Sequence, residues 1–170
     1  IKWCHFLSRW CWWACWLTCD VDPTDTSMAL SSGSDALDRM VEKLAGTPDP
    51  KRRYEYVLWL AKKLKPLPVD QQTEAIKVQG CVSQVFVQGV LDQGVMHWQG
   101  DSDALITKGL LALLIQGLDG LTPEQVQAVD PSFIAATGLQ ASLTPSRANG
   151  FLNILRTMQA QAKHLSLIHI

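Results

Sequence analysis

Between residues 34 and 45 the apolar positions Leu37, Met40, Val41 and Leu44 recur at the spacing of one helix face. Ser34 stands where it can cap that helix, and Gly46 where it can end it. Asp49 followed by Pro50 predicts a second helix, running to about residue 65, where Pro66 and Pro68 stop it. Its expected buried stripe is Tyr54, Val57, Leu58, Ala61 and Leu64, and its solvated face carries Lys51, Arg52 and Arg53. Residues 69–77 are polar and read as a loop. The period then changes. Residues 83–91, rich in Val and Phe, read as a strand; Asp92, Gln93 and Gly94 as a turn; residues 95–99 as the returning strand of a β-hairpin.

Oxygen-bearing side chains at Asp101, Ser102 and Asp103 are placed to cap a helix over 104–118. That helix is apolar nearly all round (Leu105, Ile106, Leu110, Leu111, Leu113, Leu114, Ile115), which predicts a central, buried element. Thr122, Pro123 and Gln125 spell cap, first-turn proline and capping box for a short helix to about residue 129. Asp130 and Pro131 open another short turn or helix ending near Gly138. Thr144 and Pro145 start the last helix, with Ala148, Phe151, Leu152, Leu155 and Ala162 on its apolar stripe and Met158 or Gln159 completing it. Two helices, a small antiparallel sheet and then several helices give an α+β fold rather than a wound α/β sheet.

Composition sets the ends apart. Of seven tryptophans, Trp3, Trp10, Trp12, Trp13 and Trp16 crowd the start, with Cys4, Cys11, Cys15 and Cys19 among them. Cys11, Cys15 and Cys19 would share one helix face, but zinc sites use tighter C-x-x-C pairs. The segment also lacks the small-residue cleavage site of a secretory signal. Residues 1–27 therefore read as upstream sequence translated as protein, with Met28 as the natural start. Residues 165–170 read as an adapter-derived tail, leaving 28–164 as one domain. Within that domain charges balance and the chain's net charge is −1, which points to neither nucleic acid nor an anionic membrane. One cysteine remains, Cys81, which suits a reducing compartment such as the cytoplasm.

Cys81 follows Gly80 on a loop before the first strand, where another protein can approach it. It is either a reactive thiol or a small buried apolar group. His97 and His164 fit no cysteine-protease signature, and no glycine-rich phosphate loop occurs. Arg147 occupies the first turn of the last helix, where the dipole disfavours a cation by about 0.3–1 kcal/mol. An acidic partner such as Asp101 or Asp103 would compensate, or Arg147 points into water.

Three blocks then carry a resemblance. Gly80-Cys81-Val82-Ser83-Gln84-Val85-Phe86, residues 99–110 around Asp101, Ser102 and Asp103, and Leu143-Thr144-Pro145-Ser146-Arg147 resemble, in order and spacing, the signature blocks of the SufE family. The resemblance spans about residues 30–163; Phe86 stands where many relatives carry tryptophan. It implies the α+β fold shared with IscU-type scaffold proteins. It implies that Cys81 accepts persulfide sulfur from a SufS-type cysteine desulfurase, stimulates that enzyme, and delivers sulfur to the SufBCD scaffold for iron–sulfur assembly. Gly80, Ser83, Gln84, Asp101, Asp103 and Arg147 become supporting or partner-docking residues, with no cofactor or metal on this chain. A cluster scaffold is disfavoured because it needs several cysteine ligands. A carrier for tRNA or cofactor thiolation and a regulatory subunit with an inert Cys81 remain open.

Overall fold

The computed structural model describes residues 32–168, so the tryptophan-rich segment assigned to 1–27 lies outside the described residues. Helices α1 (Asp35–Ala45) and α2 (Pro50–Lys63) precede strands β1 (Val85–Asp92) and β2 (Val95–Ser102). Helices α3 (Leu105–Leu118), α4 (Pro123–Ala128), α5 (Phe133–Ala136) and α6 (Pro145–Ile168) follow. The sheet is a two-stranded antiparallel hairpin, so the α+β class is as expected. Gln93 and Gly94 both take positive φ (49° and 85°) in its turn, between the paired residues Asp92 and Val95. That is the primed turn geometry that suits strand twist.

The caps foretold by the sequence form. The Ser34 hydroxyl accepts from the Leu37 N–H, the Asp49 carboxylate from the Lys51 N–H, and Thr122 and Gln125 make a complete capping box. Helix α3 is the centre. Its Leu110, Leu111, Leu113, Leu114 and Leu118 are all buried, and α1, α2, β2 and α6 pack around it. At Gly109 the approach is so close that a Cβ would collide with the Val57 carbonyl oxygen of α2.

Several details differ from the sequence reading. In α2 the buried residues are Val57, Leu60 and Ala61, while Tyr54 is exposed. Seating Val57 on Gly109 turns the helix so that Leu60, not Tyr54, faces the core. Arg53 is not solvated. Its Nε donates to the Thr47 carbonyl at 2.6 Å and its Nη1 to the Gly138 carbonyl at 3.3 Å, tying the α1–α2 turn to the chain after α5. Strand β2 runs on through Ser102, because Gly100 packs its bare backbone against Phe86 and Leu111 instead of breaking the strand. Asp101 and Ser102 are therefore strand residues, and α3 begins after Ala104 with no side-chain cap from Asp103. Leu105 is 65% exposed, an exception to the buried helix it starts.

Helix α6 ties the layers together. The Gln161 side chain accepts from the Gly89 N–H and donates to the Val87 carbonyl, both at 2.8 Å, and so covers the outer edge of β1 as a short strand would. Gln159 donates to the Val129 carbonyl at 2.9 Å, at the end of α4. Residues 165–168, separated in the sequence reading as a tail, continue α6, and Leu165 packs partly on the core. Among the described residues no helix is long and apolar enough to cross a membrane.

The α2–α3 approach can be tested by Gly109→Ala. The added methyl has no room without separating the helices, so we expect a loss of about 1–3 kcal/mol, as for other overpacked cores. Urea unfolding should show a lower midpoint with an unchanged slope. An unchanged midpoint would mean that the two helices part freely.

Candidate functional site

Cys81 lies on loop 79–84, which is fastened at its base and along both flanks. At the base the Val78 N–H donates to the Val85 carbonyl at 2.8 Å, and Lys77 bridges to Phe86. On one flank the Gln84 N–H donates to the Asp103 carboxylate at 3.0 Å, and the Asp103 N–H returns a bond to the Gln84 carbonyl at 3.2 Å. The Ser83 and Thr107 hydroxyls lie 3.3 Å apart. The loop is thus tied to the entry of α3.

On the other flank stands α6. The Asn153 side-chain amide donates to the Gly80 carbonyl at 3.1 Å. The Cys81 sulfur lies 3.6 Å from the Gly150 carbonyl oxygen, an S–H donor contact. Gly80 has φ +74°, and a Cβ there would come within 2.8 Å of the Asn153 amide nitrogen. The backbone conformation favours glycine, and a side chain there would push the Asn153 amide from its place.

The thiol is half-buried at the edge of the core, and that burial pushes its pKa up. The Gly150 carbonyl acts in the same direction, since it accepts a proton from S–H and would repel a thiolate. Cys81 therefore rests protonated. Its neighbour Val82 is 86% exposed, so the loop tip shows solvent an apolar side chain while keeping its sulfur turned toward α6.

Gly80, Cys81, Ser83, Gln84 and Asp103 are brought together here. Asp101 is not part of this loop's bonding; its carboxylate pairs with Lys108 at 2.7 Å, with both side chains largely covered. The expected pairing of Arg147 with Asp101 or Asp103 does not form. Lys108 occupies one carboxylate and the Gln84 N–H the other, while Arg147 is exposed and without an ion pair among the described residues. It lies on α6 one turn before Gly150. His97 pairs with Asp119 at 3.1 Å and sits opposite Val90, about 17 Å along β1 from the end nearest Cys81, too far to serve that thiol as a base.

Asn153, Gly150 and Thr107 were missed in the sequence reading. Gly150 and Asn153 carried a signal. Both are poor helix formers inside a long helix, one turn apart, which marks a face that meets something other than packed apolar side chains.

Residues 38–162 match the family model of the Fe-S metabolism associated domain, SufE. The chain belongs to the SufE family. Among its relatives, a SufE-like protein of Synechocystis sp. is 56% identical over 126 residues, covering 74% of this chain and 79% of that protein. SufE-like protein 1, chloroplastic/mitochondrial, of Arabidopsis thaliana is 41% identical, covering 77% of this chain and 36% of the relative. The cysteine desulfuration protein SufE of Plasmodium vivax is also 41% identical, covering 66% and 46%. The chain thus spans less than half the length of these last two. The solution structure of a hypothetical protein from Thermus thermophilus superposes with a TM-score of 0.68 at 28% identity, covering 77% of this chain and 96% of that one.

The protonated thiol of this SufE-family chain gives a pH prediction. Folding favours the S–H form, so this group contributes stability below the unfolded thiol value, near 8.5, and that contribution is lost as pH rises through the folded value. Alkylation of Cys81 by iodoacetamide should accordingly rise with pH about a midpoint above that of the urea-unfolded chain. A native midpoint below the unfolded one would mean that a positive charge, not burial, governs the thiol.

Proposed function

We propose that this protein is a sulfur carrier, in which Cys81 takes a sulfane sulfur from a SufS-type cysteine desulfurase, stimulates that enzyme, and passes the sulfur to a SufBCD-type scaffold for iron–sulfur cluster assembly. Membership of the SufE family supports a sulfur-transfer role with a cysteine desulfurase. The observation that carries the finer reading is the thiol itself. Cys81 is the free cysteine of the described residues, on a loop tip and tied to no other sulfur. The proposed site of action is a reducing compartment, the cytoplasm.

The transfer is a thiol exchange. The Cys81 proton leaves to solvent, and the thiolate attacks the outer sulfur of the desulfurase's cysteine persulfide. A new S–S bond forms on Cys81, the old one breaks, and the donor cysteine departs as a thiolate. The Cys81 persulfide then repeats the step as donor. No net oxidation or reduction occurs. Because Cys81 rests protonated against α6, loop 79–84 must swing outward before the attack. Asp103 and the Ser83–Thr107 pair would serve as its fixed end, and exposed Arg147 as a docking contact for the desulfurase.

Cys81→Ser tests this reading. The hydroxyl fits the same space, so the melting temperature should change little. Sulfur acceptance should vanish, and most stimulation of alanine release from cysteine by the desulfurase should go with it. A variant that still stimulates fully would make the protein a regulatory partner with an inert Cys81.

A further inference from the structure

The bonds that hold the Cys81 loop are unequal. Along β1 and α3 they are backbone bonds, bonds to the Asp103 carboxylate and the Ser83–Thr107 hydroxyl pair, between segments that the hairpin already holds side by side. Along α6 the fastening is slight. It consists of one neutral hydrogen bond, from Asn153 to the Gly80 carbonyl, and one weak S–H contact to Gly150. An outward swing of the loop breaks these two and can leave the Asp103 side intact.

Helix propensity does not account for Asn153. It lies within α6, flanked by the buried Phe151, Ile154 and Leu155, where alanine would form helix more readily. Its side chain is partly exposed and reaches 73 residues back along the sequence to Gly80. Gly80 suits it, since a Cβ there would come within 2.8 Å of the amide nitrogen in the position from which it bonds the carbonyl.

We propose that Asn153 is a positioning residue, a latch whose side-chain amide holds the Gly80 carbonyl against α6 and so sets how often Cys81 is released to its partner. This rests on the sulfur-carrier reading above and assigns the control of that site to a residue outside the signature blocks. The latch is poised for release. A neutral hydrogen bond exchanged for water is worth about a factor of five in an equilibrium, small enough for a docking protein to overcome and large enough to keep the thiol mostly covered. The same amide cannot act by charge, so its effect is on the loop and not on the ionisation of the sulfur.

The test uses Asn153→Ala and Asn153→Asp in the full chain. Alanine removes the donor, and aspartate keeps the shape while facing a carbonyl with a carboxylate. Both should speed alkylation of Cys81 at fixed pH, alanine about fivefold and aspartate at least as much, and both should speed amide exchange in loop 79–84. The alanine variant should melt at the wild-type temperature or above it, since its helix propensity is better. With a desulfurase and cysteine, the alanine variant should lower the apparent KM for the carrier about fivefold with kcat unchanged, as expected when a larger fraction is binding-competent. Alkylation at the wild-type rate in both variants would overturn the latch, as would acceleration matched by a fall in melting temperature. Alkylation and amide exchange need no desulfurase, so the latch can fail while sulfur acceptance by the wild-type protein stands, and the reverse.

Discussion

Helix α3 must be kept dry on nearly every side, Leu105 and Gln116 apart, and the arrangement of the domain follows from that. A helix so uniformly apolar is stable in water only when other elements enclose it. Here α1, α2, β2 and α6 do so, and the bare backbone at Gly109 lets α2 close on it at Val57. The enclosure places the start of α3 beside the flank of α6. Thr107 and the preceding Asp103 come from one, Gly150 and Asn153 from the other, and loop 79–84 is caught between them. The thiol's position is thus a consequence of core packing, although the groups that bond the loop do so through polar atoms and not through core side chains.

That position sets a conflict between keeping a sulfur and moving it. A thiol that exchanges sulfur must ionise and meet another protein's sulfur, while a persulfide left in the open is readily reduced. Resting against the Gly150 carbonyl with its pKa raised by burial, Cys81 is unreactive by default. In the carrier role proposed here, reactivity comes from movement of the loop and not from a charged neighbour. The absence of an ion pair on Arg147 among the described residues fits this division, because an exposed arginine is available to a partner and does nothing to stabilise a thiolate at rest.

Much of this was legible in the sequence wherever a local rule decides the outcome. Ser34, Asp49 and Thr122 cap their helices through bonds made within a few residues. Gln93 and Gly94 turn the hairpin for the same local reason. Cys81, Gly80, Ser83, Gln84 and Asp103 gather because the hairpin brings their two blocks together. Legibility ended where a distant backbone decided. Tyr54 lost its buried place because Val57 found Gly109, and Arg53 left the solvated face for the carbonyls of Thr47 and Gly138. Asp101 went to Lys108, which the first turn of α3 brings to it, and so was not left for Arg147 on α6. Asn153 and Gly150 were detectable only as poor helix formers, since the contacts that explain them reach 73 and 69 residues back along the chain.

The central claim is that Cys81 itself carries sulfur. Its most direct measurement is mass spectrometry of the wild-type chain after incubation with a cysteine desulfurase and cysteine, trapped by alkylation and digested. The account predicts that the peptide holding Cys81 gains the mass of one sulfur atom, and that a reductant removes it. Stimulation of the desulfurase with Cys81 recovered only as the unmodified thiol would contradict the account.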